Sequence, residues 1–498
     1  MNQSETQPNA SATEHFDVII IGAGISGIDA AYHLKKQCPT KRFAVLENQQ
    51  SYGGTWLTHK YPGIRSDSDL FTFGYKWKPW TSAPIASAEE ILSYLDSALD
   101  EEALRQYIRF GQTVVKASWN SDNKCWQITS KVGADGQQSH FSCNFLWMCQ
   151  GYYQHKKGYT PDWPNMDQFE GDIIHPQTWP EGYNYTDKDI LVIGSGATAA
   201  TLVPAIAEKS AHVTMLQRSP TYFFPAPNRN ELADTLRELD IPDAWTHEIV
   251  RKKILLEQQQ LTERCVTDPE SVRVELLTAA REYLGDDYDI DTHFTPSYRP
   301  WRQRLAFVPD GDLFKGIKAG KASVVTDEID TFTSAGVKLK SGRELRADTI
   351  ITATGFDLSV LGDIEFVIDG KSLDFADTWT YRGIMYSGIP NMAWVFGYFR
   401  ASWTLRADLI SEFVCRLLSF MDANKSTVVT PCLRPQDQDM PALPFVDADN
   451  FNPGYLARSM HLLPKQGDHA PWVFKQDFYA EQTDIPAADL QDGSLLYE

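Results

Sequence analysis

The chain runs to 498 residues, 42% of them hydrophobic, and its 46 Lys and Arg against 66 Asp and Glu leave a formal net charge of −20. One hydrophobic core does not grow to that length, so two or more domains are expected, and the acidic balance repels nucleic acid and anionic membrane surfaces. Seven scattered cysteines (Cys38, Cys125, Cys143, Cys149, Cys265, Cys415 and Cys432) contain no CxxC or CxxxxC pair, which argues against a disulfide framework, a zinc site or a redox-active dithiol and predicts a reducing, cytoplasmic setting.

In chain order, the polar stretch MNQSETQPNASATE (1–14) lacks the basic start and apolar run of a secretion signal and reads as a disordered leader. FDVIII (Phe16–Ile21) then runs as an apolar strand into GAGISG, and the following IDAAYHLKK has helical spacing. In this strand–turn–helix unit Gly22 allows the turn, Gly24 lets the backbone approach a pyrophosphate, and Gly27 lets helix and strand pack closely. The next strand, RFAVLE, ends on Glu47, twenty residues beyond Gly27, which is the spacing of an acid that binds ribose hydroxyls.

The same pattern returns 172 residues later, where DILVIGSGATAATLVPAIA resembles DVIIIGAGISGIDAAYHLK with Gly194, Gly196 and Ala199 in the three small positions. Ser195, Ala197 and Thr198 fill out that loop. Its second strand, HVTMLQRS, ends not on an acid but on Arg218 and Ser219. A carboxylate at this place repels a 2′-phosphate, whereas a guanidinium pairs with it. The first site therefore suits FAD or NAD and the second suits NADP; a solvated surface arginine is the alternative for Arg218. Further on, a charged, leucine-rich segment with LADTLRELD and RKKILLEQQQL reads as a helical insertion. ADTIITATGF (Ala347–Phe356) reads as a strand running into Gly355, a pattern shared by the late ATG motif of two-dinucleotide flavoproteins and by plain buried strands. TLRADLISEFVCRLLSFM carries Arg406, Asp408, Glu412 and Arg416 and repeats Leu405, Leu409, Phe413 and Leu417 every four positions, an amphipathic helix rather than a membrane span.

These elements predict an α/β chain with two Rossmann-like dinucleotide-binding domains, for FAD and NADP, and a helical insertion. The expected boundaries are a leader over 1–14, the first part of the FAD domain over 15–155, the first part of the NADP domain over 156–227, the insertion over 228–297, the second part of the NADP domain over 298–382, and the second part of the FAD domain with the tail over 383–498.

FEGDIIHPQTWP matches the fingerprint FxGxxxHxxxW(P/D) at Phe169, Gly171, His175, Trp179 and Pro180, and GGTWLTHKYPGIRSD matches GGxWxxxxYPGxxxD at Gly53, Gly54, Trp56, Tyr61, Pro62, Gly63 and Asp67. On these two stretches the chain resembles the type I Baeyer–Villiger monooxygenases, class B flavoprotein monooxygenases, and PWRQRLAFVPDGDLFKGI, SPTYFFPAPNR and ASWTLRADLISEFVCRLL resemble the ethionamide-activating subgroup. The resemblance implies that NADPH reduces bound FAD, dioxygen adds to form a flavin peroxide, and a ketone becomes an ester or lactone, with thioether oxidation as a further output. It places a catalytic arginine at Arg304, its acidic partner at Asp67, and flavin contacts at Gly54, Thr55, Trp56 and Asp67. Val115 is either an adenine contact or plain strand core. It also places His175 and the rest of that fingerprint in the linker between the domains, not at the oxidation step. Trp179 argues against the related enzymes that mainly oxygenate thioethers or amines, and a non-catalytic FAD- and NADPH-binding redox sensor is the third reading. Two departures stand out. Gln303 replaces the lysine that often precedes the arginine, and Phe399 and Arg400 replace two smaller polar residues in the subgroup's GYTNASWTL. No metal is implied, and the natural ketone and oligomeric state are open.

Overall fold

The computed structural model describes residues 13–133 and 136–498. Residues 1–12 of the expected leader lie outside that range, and Glu14 already opens the first strand. That strand, Glu14–Ile21, is an inner strand of a nine-stranded sheet. It pairs in parallel with Phe43–Leu46 on one side and Gln137–Met148 on the other, in a register that sets Val18 against Phe43 and Phe145. Val18, Ile19 and Ile20 are fully buried, because helices cover the Val18 and Ile20 face while side chains of other strands and loops, among them Trp126, Ile128 and Phe366, cover the Ile19 face, which leaves no polar side to alternate with. Gln112–Asn120, Cys125–Val132 and Gln137–Met148 form an antiparallel meander on the same sheet. The helices Ile25–Gln37, Ala88–Glu101 and Trp403–Asn424 contribute to the principal core of this unit.

The second unit repeats the parallel theme with five strands in the order Ala322–Thr326, His212–Gln217, Asp189–Ile193, Thr349–Thr352 and Asp172–Ile174. Its helix Ala197–Ala207 follows the second glycine loop as Ile25–Gln37 follows the first. Residues 228–297 carry the helices Glu231–Glu238, Asp243–Thr267, Pro269–Leu284 and Ile290–His293. The longest of these docks on the first unit. Arg251 is buried and its Nη1 donates to the carbonyls of Phe71, Thr72 and Gly74 at 2.9, 3.2 and 3.1 Å, and His247 Nδ1 accepts the Trp80 N–H at 3.1 Å.

The expected return to the first domain at residue 383 comes too late. Glu365–Ile368 already pairs in parallel with Gln112–Asn120 in the nine-stranded sheet, and Lys371–Ser372 extends its edge. A four-residue strand that joins a sheet edge through its backbone leaves almost no side-chain pattern to read. Among the described residues, no helix is long and apolar enough to cross a membrane.

Candidate active site

The two glycine loops are built alike. Gly22 N–H donates to Leu46 O and Gly194 N–H donates to Leu216 O, both at 2.8 Å. Gly22 (φ +100°) and Gly194 (φ +126°) sit where L side chains are strained, and a Cβ would lie 2.7 Å from Cys149 O in the first and 2.3 Å from Ala353 O in the second. At Gly27 a Cβ would stand 1.8 Å from Gly22 O, so that glycine serves helix–strand packing as its spacing suggests. Ala199 is fully buried in the equivalent place.

The strand ends differ. Glu47 is buried, its Oε2 accepting the Ala23 N–H at 2.6 Å and its Oε1 the Gln49 N–H at 2.8 Å. Burial raises its pKa, and those backbone N–H groups work the other way. Arg218 and Ser219 are exposed, and among the described residues the Arg218 guanidinium has no carboxylate within ion-pair range. Ser195 bridges back to that strand end through Thr221 Oγ1 at 2.9 Å and Ser219 O at 3.4 Å.

Between the two units lies a cavity of about 600 Å³. Gly22, Gly24 and Glu47 line it from the first loop, Gly54, Thr55, Trp56 and Asp67 from the GGxW stretch, and Gly196, Ala197 and Thr198 from the second loop. Val115 also lines it, at a bulge in strand Gln112–Asn120 where the register shifts between Val114 and Lys116. Gly194, Ser195, Arg218 and Ser219 stand outside the cavity wall. The GGxW stretch itself joins the units. Gly63 (φ +75°) packs so closely on helix Ala197–Ala207 that a Cβ would meet Ala205 Cβ at 2.5 Å. Tyr61 packs into the core of the second unit with Ala199, Ala200 and Val203, and Arg65 pairs with Asp312 at 2.5 Å.

Arg304 and Asp67, distant in sequence, form a two-pronged ion pair in the cavity wall, with Nη2–Oδ1 at 2.8 Å and Nε–Oδ2 at 2.5 Å. The arginine side chain is 38% exposed, and the surface it shows faces the cavity. Burial opposes its charge, but the Asp67 carboxylate, followed by Tyr152 and Tyr455, more than offsets this and holds its pKa above the ordinary value. The pair is therefore a fixed guanidinium oriented by a fork-like partner.

Several residues around this pair were not singled out from the sequence. Tyr152 stacks on Trp403 with centroids 5.0 Å apart and meets Tyr455 at 6.2 Å. Tyr153 shares a 2.6 Å hydrogen bond with Thr55 and stacks on Phe356 at 4.7 Å. His59 is buried in the wall, its pKa pushed down to about 4 by burial and then by the charges of His155 and His175. Of these, YY after strand Gln137–Met148 and the single Tyr455 carry no motif, since chain crossings bring them together.

The linker fingerprint stays out of the cavity. Phe169 is buried beneath Gly171, whose Cβ would meet Asp348 O at 2.4 Å. His175 lies against Gly158, where a Cβ would come within 1.8 Å of its ring. Its Nδ1 accepts the Gln177 N–H at 3.1 Å, so the contact of Nε2 with Gly355 O at 3.2 Å requires the proton on Nε2. Burial lowers its pKa. Trp179 packs edge-on to Tyr183 and Tyr185 at 5.8 and 6.3 Å.

The wall fits a dinucleotide. His59 Nε2, Gln150 Oε1 and His155 Nδ1 are buried polar atoms without a hydrogen-bond partner among the described residues, and all three residues line the cavity beside the Gly22–Gly24 turn and Glu47. Fold and site together define a flavoprotein with two dinucleotide-binding units. Residues 16–280 match the family model described as pyridine nucleotide-disulphide oxidoreductase. The chain is 48% identical over 490 residues to the FAD-containing monooxygenase EthA of Mycolicibacterium smegmatis, covering 97% of each. It is 46% identical over 488 residues to EthA of Mycobacterium tuberculosis, covering 97% of this chain and 98% of that one. Among solved structures, oxidized steroid monooxygenase bound to NADP matches with a TM-score of 0.70 at 24% identity over 85% of this chain and 88% of that one. Cyclohexanone monooxygenase bound to ε-caprolactone matches with a TM-score of 0.70 at 20% identity over 85% and 91%. Those structural likenesses show the fold; the sequence relatives show the family. The chain belongs to the FAD-containing monooxygenases.

Proposed function

We propose that this protein uses NADPH and dioxygen to convert ketones to esters or lactones, a Baeyer–Villiger oxidation, with thioether oxidation as a secondary output. The observation that carries the reading is the Arg304–Asp67 pair in the wall of the cavity that Glu47 and both glycine loops also reach. The ε-caprolactone-bound neighbour and the neighbours named with FAD and NADP support it.

FAD, reduced by NADPH, supplies the electrons and activates dioxygen. In this reading the Gly22–Gly27 turn and Glu47 hold FAD, with Gly54, Thr55, Trp56 and Val115 along its length. Gly194, Ser195, Gly196, Ala197 and Thr198 hold the NADPH pyrophosphate, and Arg218 with Ser219 takes its 2′-phosphate. Gln303 carries no charge, so phosphate preference rests on Arg218. Arg304 stabilises negative charge that develops on oxygen in the cavity, and Asp67 keeps the guanidinium aimed there. Tyr152, Trp403 and Tyr455 exclude water around the pair. His175, locked to Gly355 and Gln177, relates the two units rather than moving a proton of the reaction.

Arg304→Ala tests this reading. The variant should keep bound FAD and its reduction by NADPH, lose ester formation by ~10²–10³-fold, and turn dioxygen to hydrogen peroxide instead. Ester formation at the wild-type rate would overturn the assignment.

A further inference from the structure

The loop between strand Met392–Trp394 and helix Trp403–Asn424 puts Tyr398, Phe399, Ala401 and Trp403 into the cavity wall. Gln476 pins its backbone: the Phe399 N–H donates to Gln476 Oε1 at 2.7 Å, and Gln476 Nε2 donates to Gly397 O at 3.3 Å. The Phe399 side chain is itself buried, and other rings pack around it. It stacks on Phe451 with centroids 5.0 Å apart and meets Phe396 and Phe474 edge-on at 5.5 and 6.3 Å. Those three rings are buried, and none of them belongs to the cavity wall. The group is tied to the stretch that carries Arg304. Asn452, next to Phe451, donates its N–H to Arg302 O at 3.1 Å. Tyr152, whose ring lies 5.4 Å from that of Phe396, shares the cavity wall with Arg304.

A ring held this way does not step aside, because interior side chains are close-packed and the loop backbone is fixed. It offers a substrate an apolar surface without a hydrogen-bonding group, so what it discriminates is size and shape. We propose that Phe399 sets the length of ketone this chain accepts. Its ring plugs an apolar recess bounded by Phe396, Phe451 and Phe474, and ketones with short or compact substituents are taken in preference to long chains. This rests on the ketone reading above and names its substrate class. The subgroup's GYTNASWTL has threonine where this chain has Phe399, so threonine is the variant that unplugs the recess.

The wild-type holoenzyme, Phe399→Thr and Phe399→Leu are compared on 2-pentanone and 2-decanone. NADPH kinetics, flavin content and calorimetric titrations with both ketones run alongside. In an open apolar site each added methylene tightens binding about four-fold. The wild type should gain less than about four-fold, in Kd and in kcat/KM, from the whole of the longer chain. Phe399→Thr should raise the ratio of 2-decanone to 2-pentanone in kcat/KM about ten-fold or more, through KM for 2-decanone, with flavin content and the KM for NADPH unchanged. Phe399→Leu should fall between the two. Wild-type binding that tightens about four-fold per methylene as far as 2-decanone overturns the proposal, as does a ratio that neither variant alters. Equal loss of both ketones in Phe399→Leu also overturns it and leaves the ring a packing role alone. If Phe399→Thr loses its flavin, Phe399→Leu decides. If the wild type oxygenates neither ketone, the reading of the reaction fails, and the titrations still decide the plug.

Discussion

The two glycine loops superimpose in logic, with the same 2.8 Å bond from the first glycine to the neighbouring strand and the same carbonyl beneath it, yet the strand ends that face them are opposites. On the first, Glu47 is buried and tied down by two backbone N–H groups. On the second, Arg218 and Ser219 lie at the surface, and the guanidinium has no carboxylate partner among the described residues. A buried, pre-oriented acid suits a group held through many turnovers; an exposed cation suits a nucleotide that comes and goes. In the proposed reading one backbone solution serves a resident and an exchanging ligand, and the difference lies in burial.

The most forceful way to break this comparison is to damage each loop in the same way. Gly22→Ala should yield protein that loses its visible flavin absorbance on desalting. Gly194→Ala should stay yellow but be reduced by NADPH about 100-fold more slowly, given about 3 kcal/mol of backbone strain at positive φ. If both variants lose flavin equally, the loops do not divide the labour. A smaller effect is expected at the strand end. Arg218→Ala should raise the KM for NADPH about ten- to 100-fold, the loss of a charge-assisted bond, with NADH kinetics little altered. Equal loss with both nucleotides would return Arg218 to the role of a solvated surface charge.

The smallest effect concerns pH. His59, in the cavity wall, and His247, on the docked helix, both have pKa values pushed down from 6.5 to about 4, first by burial. The unfolded chain takes up protons below pH 6.5 and the folded one only near pH 4. The stability these neutral rings contribute is therefore present above pH 6.5 and lost as pH falls through that window, by up to about 3 kcal/mol each. Tm should fall by a few degrees across it, and His247→Gln should flatten the fall. The same slope in the variant would remove His247 from the account.

Both loops were legible in the sequence because their glycines answer to a local demand, a turn at positive φ under a neighbouring carbonyl. The charge reversal between Glu47 and Arg218 was legible for the same reason, since strand–turn–helix geometry fixes the spacing. The juxtaposition of Arg304 with Asp67 was not a local matter. Only the family pattern linked residues so far apart, and no periodicity would have done so. Tyr152, Tyr455 and His59 escaped notice because chain crossings assemble that wall. The boundary at 382 was misplaced because Glu365–Ile368 announces itself by backbone pairing alone. Helix Asp243–Thr267 read as a charged insertion, and the burial of Arg251 against three carbonyls of the first unit could not be read from a run of lysines and glutamines.

The central claim is tested most directly by a single turnover. Holoenzyme reduced anaerobically with NADPH is mixed with isotopically labelled dioxygen and cyclohexanone, and the products are counted. The account predicts one lactone per bound FAD, carrying one labelled oxygen atom. Full reoxidation of the flavin with hydrogen peroxide as the product and no labelled lactone, for cyclohexanone and for linear and aryl ketones alike, would contradict it.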